Sequence, residues 1–277
     1  MTMTKSRPTV KRRKAQHVAR TVTKIWYEKP TAQNPYLAER CYCYGYDLHE
    51  LIRQKSFVDV FFLLFAGELP SQEQSKLLEA LMIGLINSGP RHPATRAAMN
   101  AAVGKARHSH ILPIGLSVLG GAHSGGDEVE QSMRFLRKAT RRTPEDIAAE
   151  IKDKFCSSEE DFHIVPGFGT RFGGRDPMPH QLAAYLASLP GSGEAIQWGE
   201  KFAARIAEKE MGWLDTGVAA ATLCDLGFLP KQGAGLYQLL RAPGILAHGQ
   251  ELSNKPITAM PFLSEENYVI AKDAQKK

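Results

Sequence analysis

A chain of 277 residues, 43% hydrophobic and 23% charged, has the composition of a globular protein with a sizeable core, and neither wholesale disorder nor a collagen-like repeat fits it. No apolar run approaches the roughly 18 residues of a membrane helix, and the N-terminus lacks the apolar centre of a secretory signal, so a cytoplasmic protein with no membrane partner is expected. The net charge of +6 is local: the first 20 residues hold seven Lys and Arg and no Asp or Glu, which leaves −1 for the body.

That basic arm, residues 1–20, reads as disordered. Without interleaved aromatic residues or a recognisable reader fold it does not predict nucleic-acid binding. Thr21 to Tyr27 is a weak strand signal, and helix signals follow. Ser71-Gln72-Glu73-Gln74 is a capping box ahead of Leu77, Leu78, Leu81, Met82, Leu85 and Ile86 on one face. Thr143-Pro144-Glu145-Asp146 supplies an N-cap, a first-turn proline and acidic residues that suit the helix dipole, opening a helix toward Lys154. Gly193 to Met211 has helical spacing with Ile196, Phe202, Ala203 and Ile206 inward, and Gly235 to Glu251 reads likewise. Period-2 alternation is nearly absent, so the expected class is all-α. Cys41, Cys43, Cys156 and Cys224 form no Cys-x-x-Cys, which predicts reduced thiols and no metal site.

Three segments carry candidate chemistry. Gly120-Gly121-Ala122-His123-Ser124-Gly125-Gly126-Asp127-Glu128 sets a histidine among four glycines. Glycine lets backbone approach a ligand closely, so an imidazole there can stand beside exposed amides; a tight turn with an incidental histidine explains the same residues. Val165 to Pro177 is a second glycine-rich, cationic loop containing Gly167-Phe168-Gly169-Thr170-Arg171 and Arg175-Asp176-Pro177, with Met178 next in the chain. Leu214-Asp215-Thr216-Gly217 then opens a run of small residues. No strand signal precedes either loop, so neither a Walker A motif nor a dinucleotide fingerprint fits.

In this order the three segments resemble the citrate synthase family. Phe65-Ala66-Gly67-Glu68-Leu69-Pro70 and Arg241-Ala242-Pro243-Gly244-Ile245-Leu246-Ala247-His248 extend the resemblance from about Tyr36 to about Pro261. The short chain, Gly173-Gly174 in the second loop and Asn87-Ser88-Gly89-Pro90-Arg91-His92-Pro93 look most like the compact citryl-CoA lyase branch, the module at the end of ATP-citrate lyase. The resemblance implies a large helical domain, residues 21–124 plus 227–277, with a smaller helical domain, 125–226, inserted and His123 at the hinge. It also implies a homodimer or higher oligomer.

The activity implied is making or breaking a C–C bond between an acyl-CoA and a 2-oxo acid, with the CoA thioester as substrate and no permanently bound cofactor. His123 takes the part of the hydrogen-bond donor to the thioester oxygen and Asp215 that of the carboxylate base. Arg241, Thr170, Arg175 and His92 fall at substrate-binding positions, and Gly167, Phe168, Gly169 and Arg171 at CoA-binding ones. The chain departs from the family pattern in several places. Thr170 replaces a histidine, Met178 replaces an arginine, no arginine follows Arg241, and the branch's spacing puts the base at Thr216 rather than Asp215. These departures point to a non-standard substrate; a degenerate member that binds CoA thioesters or serves as a structural partner subunit is the alternative.

Overall fold

In the computed structural model the described residues are 22–151, 162–261 and 263–268, so the basic arm and Cys156 lie outside them. The chain divides into two compact units, one ending at Ser56 and one beginning at Phe57. The first contains a three-stranded antiparallel sheet, β1 (Trp26–Pro30), β2 (Ala38–Cys43) and β3 (Tyr46–Asp47), followed by helix α1 (Leu48–Gln54). Tyr44 and Gly45 both have positive φ and make the two-residue turn between β2 and β3, the turn whose twist matches the paired strands. Asp47 caps α1 by accepting from the amides of His49 and Glu50. This sheet extends well beyond the single weak strand signal in the sequence.

The second unit is helical, as the hydrophobic spacing predicts. Its elements are α2 (Phe57–Ala66), α3 (Gln72–Leu85), α4 (Pro93–Val103), α5 (His108–Leu119), α6 (Gly126–Ala139), α7 (Pro144–Glu150), α8 (Pro177–Ser188), α9 (Glu194–Ile206), α10 (Asp215–Asp225) and α11 (Pro230–Leu252). The capping box at Ser71 forms in full, and Leu77, Leu78, Leu81 and Leu85 are buried. Ile86, expected on the same face, is the C-cap of α3 and is 47% exposed. Thr143 caps α7 as expected, but the helix closes at Glu150, and Lys154 lies outside the described residues.

A second small antiparallel sheet, β4 (His163–Val165), β5 (Phe168–Gly169) and β6 (Gly212–Trp213), has no counterpart in the sequence reading. Its strands are two or three residues long, too short for alternation to register. It is held by an aromatic stack: Phe168 lies on Trp213 with ring centroids 4.3 Å apart and meets Phe202 edge-on at 4.9 Å, while Phe202 stacks on Trp198 at 5.0 Å. Offset and edge-to-face aromatic pairs of this kind add about 0.5–1.5 kcal/mol each beyond the area they bury. The stack therefore anchors the second glycine-rich loop to α9 and to the strand that leads into α10.

Candidate active site

Five chain segments converge on one small cavity. His92, the N-cap of α4, Ser124, from the turn before α6, Arg171 and Asp176, from the loop after β5, and Asp215 and Thr216, opening α10, line it together with Pro179, Leu214 and Tyr237. Its volume is about 10 Å³, room for roughly one water.

Its floor is ionic. Tyr237 and Arg241 lie one turn apart on α11, so they share a face. Arg241 is 2% exposed. Its guanidinium sits over the Tyr237 ring at 5.2 Å, its Nε donates to the Tyr237 hydroxyl at 3.2 Å, and its Nη2 donates to Asp215 Oδ2 at 2.6 Å. Burial opposes the charge on Arg241, but Tyr237 and Asp215 outweigh it and raise its pKa. Burial pushes the Tyr237 hydroxyl up to about 12, so it stays protonated. Arg171 adds a second cation, 3.7 Å from Asp215 and 3.6 Å from Asp176. The Thr216 hydroxyl is buried and has no hydrogen-bond partner among the described residues. Asp215 and Thr216 thus both line the cavity, with the carboxylate already paired.

His92 is built in. Its Nδ1 accepts from the Ala94 amide at 3.2 Å, and its Nε2 meets the Ser124 carbonyl at 3.1 Å. A ring accepting at one nitrogen and donating at the other is neutral, in agreement with a pKa lowered mainly by burial. His92 therefore closes the cavity wall, and with both nitrogens engaged it is no substitute for a proton-carrying imidazole. His123, by contrast, is exposed, in the turn that delivers Ser124, with its ring edge-on to His163 at 5.0 Å between centroids.

Several expected site residues are placed elsewhere, for clear physical reasons. The Thr170 hydroxyl accepts from the Phe162 amide at 3.1 Å, and its own amide donates to the Phe162 carbonyl at 2.8 Å, so Thr170 secures the start of β4 and does not line the cavity. Phe168 is a core residue with no exposed surface. Gly167 and Gly169 are packed against backbone, Gly167 on Gly217 and Gly169 on Phe162, and cannot wrap a ligand in this arrangement. The accessible part of the loop is Arg171 to Gly174, a two-residue turn with Phe172 and Gly173 at positive φ and paired amides between Arg171 and Gly174. A non-glycine at φ 51 carries strain, and here it holds the Phe172 ring 66% exposed with Arg171 over its face at 5.3 Å. This turn borders a larger open cleft of about 600 Å³, lined by Ser88, Gly89, Pro90, Arg91, Arg171, Phe172, Gly174, Arg175, Asp176 and Pro177. Arg175 belongs to this cleft and not to the carboxylate pocket.

Arg175 Nε donates to His180 Nε2 at 2.7 Å, and the Trp213 amide approaches the same nitrogen at 3.3 Å. Burial, and then Arg175, lower the His180 pKa from 6.5 to about 4. The unfolded chain therefore binds a proton at His180 between those values while the folded protein does not, so stability falls as pH drops through that window. His180→Gln, which keeps an acceptor, is expected to flatten the acid limb of stability between pH 6.5 and about 4; urea melts at pH 7 and pH 4.5 that lose the same stability as wild type would contradict this.

Sequence reasoning missed Ser124, Asp176 and Tyr237 as residues that line the cavity. Tyr237 was findable, since it stands four residues before Arg241.

No protein-family model and no curated protein matches the sequence. Among solved structures, the chain is similar to citryl-CoA lyase from Hydrogenobacter thermophilus, with a TM-score of 0.72 and 26% identity over 91% of this chain and 94% of that one. It is also similar to ATP citrate lyase from Methanosaeta concilii in complex with (3S)-citryl-CoA, with a TM-score of 0.68 and 18% identity over 91% of this chain and 43% of that one. A citrate synthase from Thermotoga maritima follows at a TM-score of 0.52 and 16% identity, over 91% and 94% of the two chains. The last two, at these identities, speak for the fold alone. The chain thus has the citrate synthase fold, in a form close to that of citryl-CoA lyase.

Proposed function

We propose that the protein forms or cleaves a C–C bond between an acyl-CoA thioester and a 2-oxo acid. The observation that carries this reading is the Asp215 carboxylate held between Arg241 and Arg171 at the wall of a cavity that is also lined by Ser124, the residue after His123. In the joining direction Asp215 takes a proton from the carbon next to the thioester, while His123 donates a hydrogen bond to the thioester oxygen as charge develops there. The resulting enolate carbon attacks the keto carbon, and the new alkoxide takes up a proton; cleavage runs the same steps in reverse.

Arg241 is the clamp for a substrate carboxylate. Because it is paired with Asp215 at 2.6 Å, a carboxylate that enters takes over the guanidinium and releases the base, which ties substrate binding to catalysis. The small cavity then opens by movement of the inserted domain, residues 125–226, about the His123 turn. With one fully buried arginine to hold it, the substrate carries a single clamped carboxylate, unlike oxaloacetate. The larger cleft suits the CoA end: Arg91, Arg171 and Arg175 for phosphates and the exposed Phe172 ring for stacking.

The test is mass spectrometry of the protein with a panel of acyl-CoA esters against a panel of 2-oxo acids, and separately with citryl-CoA. A product or cleavage is expected for at least one combination, and His123→Ala is expected to lower its turnover at least about 100-fold with circular dichroism unchanged. Equal turnover in that variant would overturn the role of His123. The second reading, a non-catalytic binder of CoA thioesters, is favoured by the closed Asp215–Arg241 pair; acyl-CoA binding with no product across the panel would establish it.

A further inference from the structure

Glu128 is a charge that the fold buries. It sits in the first turn of α6 and is 2% exposed, where an ionised carboxylate is costly unless donors surround it. The donors come from three different segments. Its Oε2 accepts from the Ser124 amide at 2.8 Å, and its Oε1 accepts from His163 Nδ1 at 2.5 Å and from the Gly167 amide at 3.3 Å. One side chain thereby ties the His123 turn, strand β4 and the second glycine-rich loop together.

Two of these contacts bear directly on His123. Ser124, the next residue, is held at φ 54, a left-handed conformation uncommon for a non-glycine residue; the Glu128 bond to its amide is a restraint that favours it. His163 presents its ring to that of His123 at an interplanar angle of 76°. An ionised carboxylate only accepts, so Glu128 fixes the proton of His163 on Nδ1 and with it the plane of that ring. We infer that Glu128 and His163 are positioning residues: Glu128 sets the backbone after His123 and the ring that flanks it, and so sets the direction in which the His123 imidazole points.

The catalytic part of this inference rests on the proposed role of His123, but the positioning itself does not. Histidine side-chain ¹⁵N NMR of the full chain reads it without substrate. In wild type, His163 is expected to carry its proton on Nδ1. In Glu128→Gln, whose amide turns a donor toward donors, the His163 tautomer signature is expected to be lost and the His123 ring resonances to shift and broaden. His163→Asn is the second variant, because its amide keeps a donor near Glu128 while removing the ring; it is expected to move the His123 resonances with the far-ultraviolet spectrum unchanged. His123 resonances identical to wild type in a folded variant of either kind would overturn the inference. Where a substrate pair has been found, both variants are expected to lower kcat about 100-fold, the effect of a misplaced catalytic group, with KM moving less than about threefold. A wild type with no turnover would count against the proposed function and leave the NMR result to stand or fall alone.

Discussion

Asp215→Ala is expected to lower stability by about 3 kcal/mol and turnover by about a thousandfold, and the stability, but not the turnover, should return with acetate or formate. Arg241 is 2% exposed, and Asp215 Oδ2 meets it at 2.6 Å. Removing one partner of a buried pair typically costs about 3–5 kcal/mol, because the other charge is left uncompensated. Asp215 itself is 24% exposed, so water relieves part of that cost and the low end applies. For a protein of this size about 3 kcal/mol corresponds to a fall in Tm of roughly 6–12 °C. A small carboxylate can enter the vacated volume and pair with Arg241, raising Tm in proportion to the logarithm of its concentration; chloride at equal ionic strength lacks the two-oxygen geometry and should do much less. Catalysis does not return, since the proton acceptor has to be placed against carbon and a diffusing anion is not. A variant as stable as wild type, or one that chloride rescues as well as acetate, would sink the reading of this pair as a carboxylate seat filled by the protein itself.

How much of this was legible beforehand depended on whether the controlling interaction was local. The Ser71 capping box, the Thr143-Pro144 start and the buried leucines of α3 follow from neighbours within four residues, and all appear where the spacing puts them. His92 before Pro93 is a local arrangement of the same kind, and its ring is engaged in capping α4 and in meeting the Ser124 carbonyl. The Asp215–Arg241 pair spans 26 residues, and only the resemblance to a known family connects its two members. Glu128 was hidden for the opposite reason. An acidic residue in a first helical turn already has an explanation in the helix dipole, and nothing in its neighbours announces the His163 and Gly167 donors. The glycines of the second loop were legible as a loop but not in purpose, because the absence of a Cβ serves a close ligand and a close backbone equally well.

That ambiguity can be resolved by experiment at two positions in the same loop. Gly167→Ala is expected to cost about 2–5 kcal/mol, and Gly174→Ala less than about 0.5 kcal/mol. Gly167 has φ +83, and a Cβ there would lie 2.5 Å from Gly217 Cα and 2.7 Å from Ser132 Oγ. The left-handed backbone costs an alanine about 1–2 kcal/mol, and overlap with a backbone atom that cannot rotate away adds about 1–3. A Cβ on Gly174 meets nothing within 4 Å, although it borders the wider arginine-lined cleft. The two substitutions therefore separate packing from ligand approach: urea melts should single out Gly167, while any loss of acyl-CoA affinity without loss of stability should single out Gly174. The Gly167 carbonyl also accepts from the Leu214 amide at 3.0 Å, immediately before Asp215, so a displaced Gly167 moves the start of α10 and the carboxylate with it. Equal stability of the two variants would mean that the loop yields where the packing says it cannot, and that Asp215 is not held in place through Gly167.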